Sequence, residues 1–298
     1  MAEDPFAAYM QVPVAGGTLH VARAGATPEG AEAVVLGVHG VASSHAIWRT
    51  VARALAPSVC LLAPDLRGRG RSIGLPGPFG MAAHVADLLA VLDFTGVDRA
   101  LVAGHSLGGY VAAALGAGHP DRVSGVVLLD GGLAIPPYPA SITDELVEAM
   151  VDAALEHARR PVGSVDEHVG HWRTDPAFAE DWDLDVEAYA RSSLTNNLRV
   201  AVCEAAVRAD IADLVRNEAT RGAVDQVAAP LTFMRSRRPA RDTLPPVPQP
   251  LVDAFTGTHP RARVEEVPSA NHYTLVLGAG AGPRRVAETI AAALSDTV

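Results

Sequence analysis

Short apolar runs alternate along the chain with stretches in which apolar positions recur at helical spacing. Continuous apolar runs are typical of strands that are covered on both faces, and the segments between them predict helices. The predicted strands are residues 34–38, 59–63, 100–103, 126–129, 231–234 and 264–267. The predicted helices of this alternation are residues 48–55, 82–94, 110–116 and 283–294. Such an alternation indicates an α/β fold with a mostly parallel central sheet, right-handed crossovers and flanking helices.

The alternation stops between about residues 132 and 228, where helical spacing dominates, and the strand pattern resumes at Pro230. Helices are predicted here over residues 141–158, 186–194 and 198–215. We expect residues 133–228 to form a helical cap, or lid, over the carboxyl end of the sheet, where open α/β sheets bind ligands. Residues 1–132 and 229–298 then form the α/β core. The alternative is that the inserted helices are one more layer of that core.

Composition narrows the class of protein. The 298 residues are 49% hydrophobic, which suits one globular α/β domain with an insertion. The net charge is −10 and all 24 basic residues are arginine, so the chain is acidic and lacks a basic stripe. This balance argues against a nucleic-acid partner and against an anionic membrane surface. We therefore expect neither partner.

Location is inferred from the first residues and from the two cysteines. The start, Met1-Ala-Glu-Asp-Pro, is acidic where a secretory signal peptide is basic, and no apolar run approaches the roughly 18 residues of a membrane span. Cys60 lies in a strand pattern and Cys203 in a helical one, so we interpret both as packing residues. A cytoplasmic location is the expectation.

The segment with most chemical information is residues 104–108, with the sequence Gly-His-Ser-Leu-Gly, directly after the predicted strand 100–103. A buried strand that runs through Gly-x-Ser-x-Gly into a helix makes a sharp turn that presents the serine hydroxyl at the end of the sheet. We predict that Ser106 is a nucleophile; the alternative is an ordinary glycine-rich turn. His105 is expected to point away from the site.

A serine hydroxyl needs a base and an acid that orients the base. His272 follows the last predicted strand, in a loop that would face Ser106, and is the predicted base. Two carboxylates compete for the third position. Asp130 ends the strand 126–129, whereas Asp242 follows the strand 231–234 among arginines. The residues favour Asp130 and leave Asp242 as the alternative acid.

Attack on a carbonyl group also requires two N–H donors for the oxyanion that forms. The backbone of Leu107, directly after the predicted nucleophile, would supply one. The backbone of Val41 would supply the other, because Gly40 lets the chain turn at the end of the strand 34–38. Trp172 and Trp182, in the predicted cap, are candidates for the wall of a substrate pocket. No metal site is predicted.

Four segments together resemble the α/β-hydrolase superfamily: His39-Gly40, residues 65–72, residues 104–109 and Asn271-His272. The resemblance covers nearly the whole chain outside the predicted cap. It implies a hydrolase core with a helical cap and, as is usual in this superfamily, no cofactor. In such proteins the positions of Asp65 and Arg67 typically hold loops together, so a structural role is expected for both.

The function expected from these residues is hydrolysis of a carboxylic ester or lactone of a largely hydrophobic small molecule, through an acyl-enzyme intermediate. A thioesterase or a carbon–carbon bond hydrolase would use the same machinery. A receptor of this fold that turns its ligand over slowly, or not at all, is the alternative outside the enzymes. The sequence indicates neither the natural substrate nor the oligomeric state.

Overall fold

The computed structural model describes residues 3–136, 144–240 and 247–296. Within them lies an eight-stranded sheet with the strand order β1-β2-β4-β3-β5-β6-β7-β8. The strands are β1 (Ala8–Val14), β2 (Gly17–Gly25), β3 (Ala33–Val38), β4 (Val59–Pro64), β5 (Ala100–His105), β6 (Val123–Leu129), β7 (Leu231–Ser236) and β8 (Arg263–Val267). All pairs from β4 to β8 are parallel, whereas β1 pairs antiparallel with β2 and β2 with β4. The predicted mostly parallel sheet is confirmed.

The six predicted strands all exist, and β1 and β2 are the ones that the pattern missed. β1 lies at an edge of the sheet, and along it exposed positions alternate with positions that are half-buried or buried. An edge strand with one solvated face carries no continuous apolar run. β1 therefore lacked the signal that identified the buried parallel strands, whereas the mostly buried β2 has its apolar run interrupted by His20 and Arg23.

The helices that the structure describes are α1 (Arg49–Ala54), α2 (Met81–Phe94), α3 (Leu107–Gly118), α4 (Asp144–Leu155), α5 (Val165–Thr174), α6 (Leu184–Ser192), α7 (Glu204–Arg216), α8 (Glu218–Arg221), α9 (Gln249–Thr258) and α10 (Gly282–Ser295). Helices α2, α3 and α9 pack on one face of the sheet, and α1 and α10 pack on the other. Alternate residues of β5 enter the two cores: Val102 faces the first group, while Leu101 and Ala103 face the second. This period-two alternation is that of a strand covered on both sides.

Helices α4 to α8 are inserted between β6 and β7, and we call residues 144–228 the insertion. The predicted helix 198–215 is wrong at its start, because α7 begins at Glu204. Val202 forms a β-bridge with Arg69 in the loop after β4, so tertiary pairing overrides the local helical spacing there. Residues 141–143 of the predicted helix 141–158 lie outside the described residues. Helix α5 was not predicted.

The insertion contacts the carboxyl edge of the sheet. Ser43, in the loop after β3, has its hydroxyl 3.0 Å from that of Tyr189 in α6. Asp185 in α6 is buried and forms ion pairs with Arg49 and Arg53 at the start and in the last turn of α1. The division into a core and a cap stays a prediction. No helix within residues 3–136, 144–240 and 247–296 combines the length and the apolar character needed to cross a membrane.

Candidate active site

Ser106 occupies the sharp turn between β5 and α3. Its backbone has φ 56° and ψ −120°, a conformation that residues other than glycine rarely adopt. Its N–H donates to the carbonyl of Leu129 at 2.9 Å, which fixes the turn to the end of β6. A Cβ at Gly104 would come within 2.1 Å of the carbonyl oxygen of Gly108, so only glycine fits this approach. The turn thus has the strained geometry that the motif predicts.

Asp130, the residue directly after β6, contacts His272 in the loop after β8. The Nδ1 atom of His272 lies 3.6 Å from Oδ2 of Asp130. The carboxylate also accepts the backbone N–H of Ser236 at 2.8 Å and the Ser236 hydroxyl. Burial acts to raise the pKa of Asp130, but its contacts with His272 and Ser236 outweigh burial and lower it below the usual value. Asp130 is therefore a buried carboxylate with a histidine partner. Asp242 lies outside the described residues.

His105 does not point away from this site, and that expectation is wrong. Its Nε2 lies 2.7 Å from the carbonyl oxygen of His272, and the two ring centroids are 4.6 Å apart. Burial and the neighbouring His272 lower the pKa of His105 to about 3, so its ring is neutral at pH 7. Because a carbonyl oxygen can only accept, Nε2 carries the hydrogen and donates it.

The period of β5 explains this placement. His105 is the last residue of the strand, and alternate side chains of a strand share a face. It therefore follows Leu101 and Ala103, which pack in the same core as Ala270, just before His272. This alternation is a signal that could have placed His105 beside His272. Ser236, the second partner of Asp130, had no comparable signal, because its contact depends on the relative positions of β6 and β7.

The loop after β3 brings Gly40 against the serine, with Val41 as the next residue. A Cβ at Gly40 would lie 3.1 Å from Cβ of Ser106. The His39 ring accepts the N–H of Leu66 at Nε2 (2.9 Å), so Nδ1 carries the hydrogen and donates to the carbonyl of Gly40 (2.8 Å). Burial lowers the pKa of His39 to about 4, which keeps its ring neutral. In a trans peptide the C=O and N–H point in opposite directions, so the Val41 N–H points away from His39.

Leu107 follows Ser106 directly in the chain, and Val41 follows Gly40. Leu107 is the first residue of α3, where the helix dipole places partial positive charge. Within the described part of the chain, neither the N–H of Leu107 nor that of Val41 donates a hydrogen bond to a protein group. Neither N–H group is thus already committed to a protein acceptor, as a donor to an oxyanion would require, and that role stays a prediction.

Trp172 is linked to His272 through a series of aromatic rings. Its ring centroid lies 5.1 Å from that of Phe178 and 5.2 Å from that of Tyr189. The Phe178 ring lies 5.5 Å from Tyr273, which in turn lies 5.4 Å from His272. Trp172 thus belongs to a group of packed aromatic rings that reaches His272 through Phe178 and Tyr273. Its contact with a substrate stays a prediction.

Trp182 is half-buried and packs against the core that holds α1 and α10. The guanidinium of Arg173 lies 6.0 Å from the centroid of the Trp182 ring. Neither contact links it to Ser106 or to His272. A role for Trp182 in binding substrate also stays a prediction.

One buried group of side chains has the composition of a metal site. Its potential ligand atoms lie within 4.8 Å of one another and belong to His20, His45 and Asp65. Asp65 Oδ1 already accepts the backbone N–H (2.7 Å) and the Nδ1 of His45 (2.8 Å), and Oδ2 accepts the N–H of Arg71 (2.8 Å). Arg67 forms a two-pronged ion pair with Asp87 (2.8 and 2.7 Å). These bonds account for Asp65 and Arg67 as residues that hold loops together.

Comparison with known sequences finds relatives of part of the chain. Residues 33–154 match the sequence model of the family described as α/β hydrolase fold. Lipase LipV of Mycobacterium tuberculosis is 38% identical over 167 residues, which are 56% of this chain and 60% of LipV. RutD of Caulobacter segnis, whose name assigns it provisionally to carbamate hydrolysis, is 30% identical over 131 residues, 43% of this chain and 49% of RutD. The matches thus span about half of each relative.

Comparison with solved structures agrees on the fold over nearly the whole chain. E-2-(acetamidomethylene)succinate hydrolase superposes with a TM-score of 0.73 at 19% identity and covers 96% of this chain and 97% of its own. The thioesterase domain from the curacin biosynthetic pathway has a TM-score of 0.74 at 17% identity, with 95% and 99% covered. The chain has the α/β-hydrolase fold, as its motifs indicate, and residues 33–154 match the family model described by that fold.

Proposed function

We propose that this protein is a serine hydrolase that cleaves a carboxylic ester or lactone of a largely hydrophobic small molecule. The observation that carries the proposal is the contact between His272 and Asp130, 3.6 Å apart, at the edge of the sheet where Ser106 occupies its strained turn. His105, next to Ser106 in the chain, donates to the backbone of His272 and so ties the histidine loop to that turn. A nucleophile, a base and an orienting acid are the groups that acyl transfer needs.

The proposed reaction has two halves. The Ser106 hydroxyl attacks the substrate carbonyl while His272 takes its proton, and the N–H groups of Val41 and Leu107 stabilise the oxyanion. The tetrahedral intermediate expels the alcohol, which receives the proton from His272. Water then attacks the acyl-enzyme with His272 again as base, and Ser106 is released. Asp130 holds the imidazole in one orientation and stabilises its protonated form.

The apolar character of the substrate rests on the surroundings of Val41. This residue packs against both the sheet core and a separate apolar cluster that α4 and α7 form within the insertion, with Val151 and Val207 at its centre. We propose that the insertion acts as the cap and that its apolar residues contact the acyl or alcohol group. The name of the relative LipV agrees with an ester, and that of RutD extends the candidates to carbamates.

The test compares wild type with Ser106→Ala on short-chain nitrophenyl esters. We expect turnover by the wild type and loss of nearly all of it in the variant, because the alanine cannot form an acyl-enzyme. Ser295→Ala, at the exposed end of α10, is the matched control and should behave as wild type. A fluorophosphonate probe should label the wild type at Ser106 and leave the Ser106→Ala protein unlabelled.

The same assay separates the alternatives. Equal rates for the wild type and Ser106→Ala would contradict the proposal. Binding of a hydrophobic ester without turnover would indicate a receptor. Faster cleavage of a matched thioester, a carbamate or a diketone than of the oxygen ester would reassign the substrate class while keeping the residues. The cytoplasmic location and the absence of nucleic-acid and membrane partners stay predictions.

A further inference from the structure

Arg69 is a fully buried arginine in the loop after β4, and its side chain joins two parts of the molecule. Its Nε donates to the carbonyl oxygen of Val41 at 2.9 Å, and its Nη1 donates to the carbonyl oxygen of Arg67 at 3.0 Å. Its Nη2 lies 2.5 Å from Oδ2 of Asp210 in α7 of the insertion. One guanidinium thus contacts both the loop proposed to stabilise the oxyanion and a helix of the insertion.

Asp210 is itself fixed from several sides. The side chain is fully buried, and its Oδ1 accepts the N–H of Gly80 at 2.8 Å, at the start of α2. Nε2 of the buried His84 lies 3.0 Å from Oδ2. Burial acts to raise the pKa of Asp210, but His84 and Arg69 lower it below the usual value, so it is a carboxylate at neutral pH. A buried ion pair adds little net stability, but removal of one partner leaves the other charge buried and uncompensated.

The backbone beside Arg69 is also paired with the insertion. Arg69 and Val202 form a β-bridge, and the N–H of Gly70 donates to the carbonyl of Ala201 at 2.8 Å. The N–H of Cys203 donates to the carbonyl of Gly68 at 2.8 Å. Movement of the first part of α7 would therefore carry the Arg69 loop with it.

The contacts of Arg69 help to fix the orientation of Val41. On its N-terminal side, the carbonyl of Gly40 is held by the His39 ring at 2.8 Å and by the N–H of Ser43 at 3.3 Å. On its C-terminal side, the carbonyl of Val41 is held by Arg69. Both peptide groups that flank Val41 are thus anchored, which fixes the direction of its N–H.

We propose that Arg69 is a positioning residue that couples the insertion, through Asp210, to the Val41 N–H of the oxyanion site. The proposal rests on the proposed function, because it assigns that N–H a catalytic use. The ion pair sets where the guanidinium lies, and the guanidinium sets where Val41 points. A displacement of α7 therefore changes the catalytic rate without a contact between α7 and the serine.

The experiment uses Arg69→Lys and Asp210→Asn. In Arg69→Lys the positive charge beside Asp210 is kept, but the lysine lacks the planar guanidinium that contacts Asp210 and the Val41 carbonyl at the same time. On a nitrophenyl ester we expect kcat to fall about tenfold with KM changed less than about twofold, because the oxyanion forms only after substrate binds. Asp210→Asn should lower kcat in the same direction.

The matched control is Asp185→Asn. Asp185 joins the insertion to the core through Arg49 and Arg53, and among the described residues its carboxylate forms no hydrogen bond or ion pair with residues 39–44 after β3. It should lower the melting temperature as the other two variants do, with kcat within about twofold of wild type. If kcat falls equally in Asp185→Asn and Asp210→Asn, the effect is general loosening and the proposal is wrong.

Amide exchange gives a readout that does not depend on turnover. The Ser43 N–H, which donates to Gly40 beside Val41, should exchange faster in Arg69→Lys and Asp210→Asn than in the wild type or Asp185→Asn. Unchanged exchange at Ser43 in both variants would overturn the coupling even if kcat fell. If the wild type shows no turnover that depends on Ser106, the proposed function fails, and exchange alone then decides whether Arg69 couples the insertion to Val41.

Discussion

His105 donates a hydrogen bond from Nε2 to the main-chain carbonyl of His272 across 2.7 Å, although 167 positions separate the two residues in the chain. The two imidazoles lie in contact, with ring centroids 4.6 Å apart. The residue next to the proposed nucleophile therefore holds the loop that carries the proposed base. Because burial keeps the His105 ring neutral, it adds a donor to this site without adding a second positive charge.

Replacement of His105 tests this relationship. In His105→Leu the His272 carbonyl loses its donor, and we expect kcat to fall by about tenfold because the base is less well oriented. His105→Gln keeps a donor of similar reach and should recover part of the loss. Steady-state kinetics on a nitrophenyl ester provide the measurement. A Leu variant as active as wild type would show that His272 is positioned by other contacts.

The acid is tested by comparing two asparagine variants. Asp130→Asn should lower kcat by about 10⁴, because an amide cannot stabilise the protonated imidazole and favours the wrong tautomer. Asp242→Asn should keep a nearly normal rate. The same two variants measured on one ester decide between the carboxylates. The opposite ranking would transfer the role to Asp242.

Most of the strands that were predicted correctly share a physical cause. Strands β3, β4, β5 and β6 are buried on both faces, so their sequences are continuous apolar runs that stand out without any knowledge of their neighbours. The turn at Ser106 was equally predictable, because its close backbone approaches admit only glycine on either side. In both cases the constraint acts on residues that are close together in the sequence, so the sequence pattern alone reveals it.

What was missed depends on contacts between distant segments. The start of α7 at Glu204 is set by the pairing of Val202 with Arg69, which no local pattern contains. The bonds from Ser236 to Asp130 arise from the relative positions of β6 and β7. The choice between Asp130 and Asp242 stayed open in the sequence for the same reason, since each carboxylate follows a strand that ends at the same edge.

Gly40 offers a test of the space around the serine. In Gly40→Ala the new Cβ would lie 3.1 Å from Cβ of Ser106, closer than most real contacts, and 3.5 Å from its Oγ. Either the serine or the Val41 loop must shift, so we expect kcat to fall at least about tenfold with a small change in melting temperature. Gly74→Ala is the matched control, because a Cβ there meets no atom within 4 Å. Equal activity in both variants would show that the loop adapts at no cost to catalysis.

Asp65 predicts a specific dependence of stability on pH. Burial acts to raise its pKa, but contacts with His45 and His39 lower it from 3.8 to about 2. A carboxyl group whose pKa is lower in the folded state stabilises that state above the unfolded pKa, and the contribution is lost as the pH falls through the folded value. The ionised Asp65 should therefore add about 2 kcal/mol to the free energy of unfolding at pH 6.

The comparison is between wild type and Asp65→Asn in urea at two pH values. At pH 6 the wild type should have the larger free energy of unfolding. At pH 3 its difference from Asp65→Asn should be smaller by about 1 kcal/mol, because Asp65 is then mostly protonated in the unfolded state and still mostly ionised in the folded state. Asp121→Asn, at an exposed position, is the control, and its difference from wild type in the free energy of unfolding should be the same at both pH values. If the difference in the free energy of unfolding between wild type and Asp65→Asn stays constant between the two pH values, or grows at the lower pH, the hydrogen bonds of Asp65 to His45 and Arg71 do not favour its ionised form.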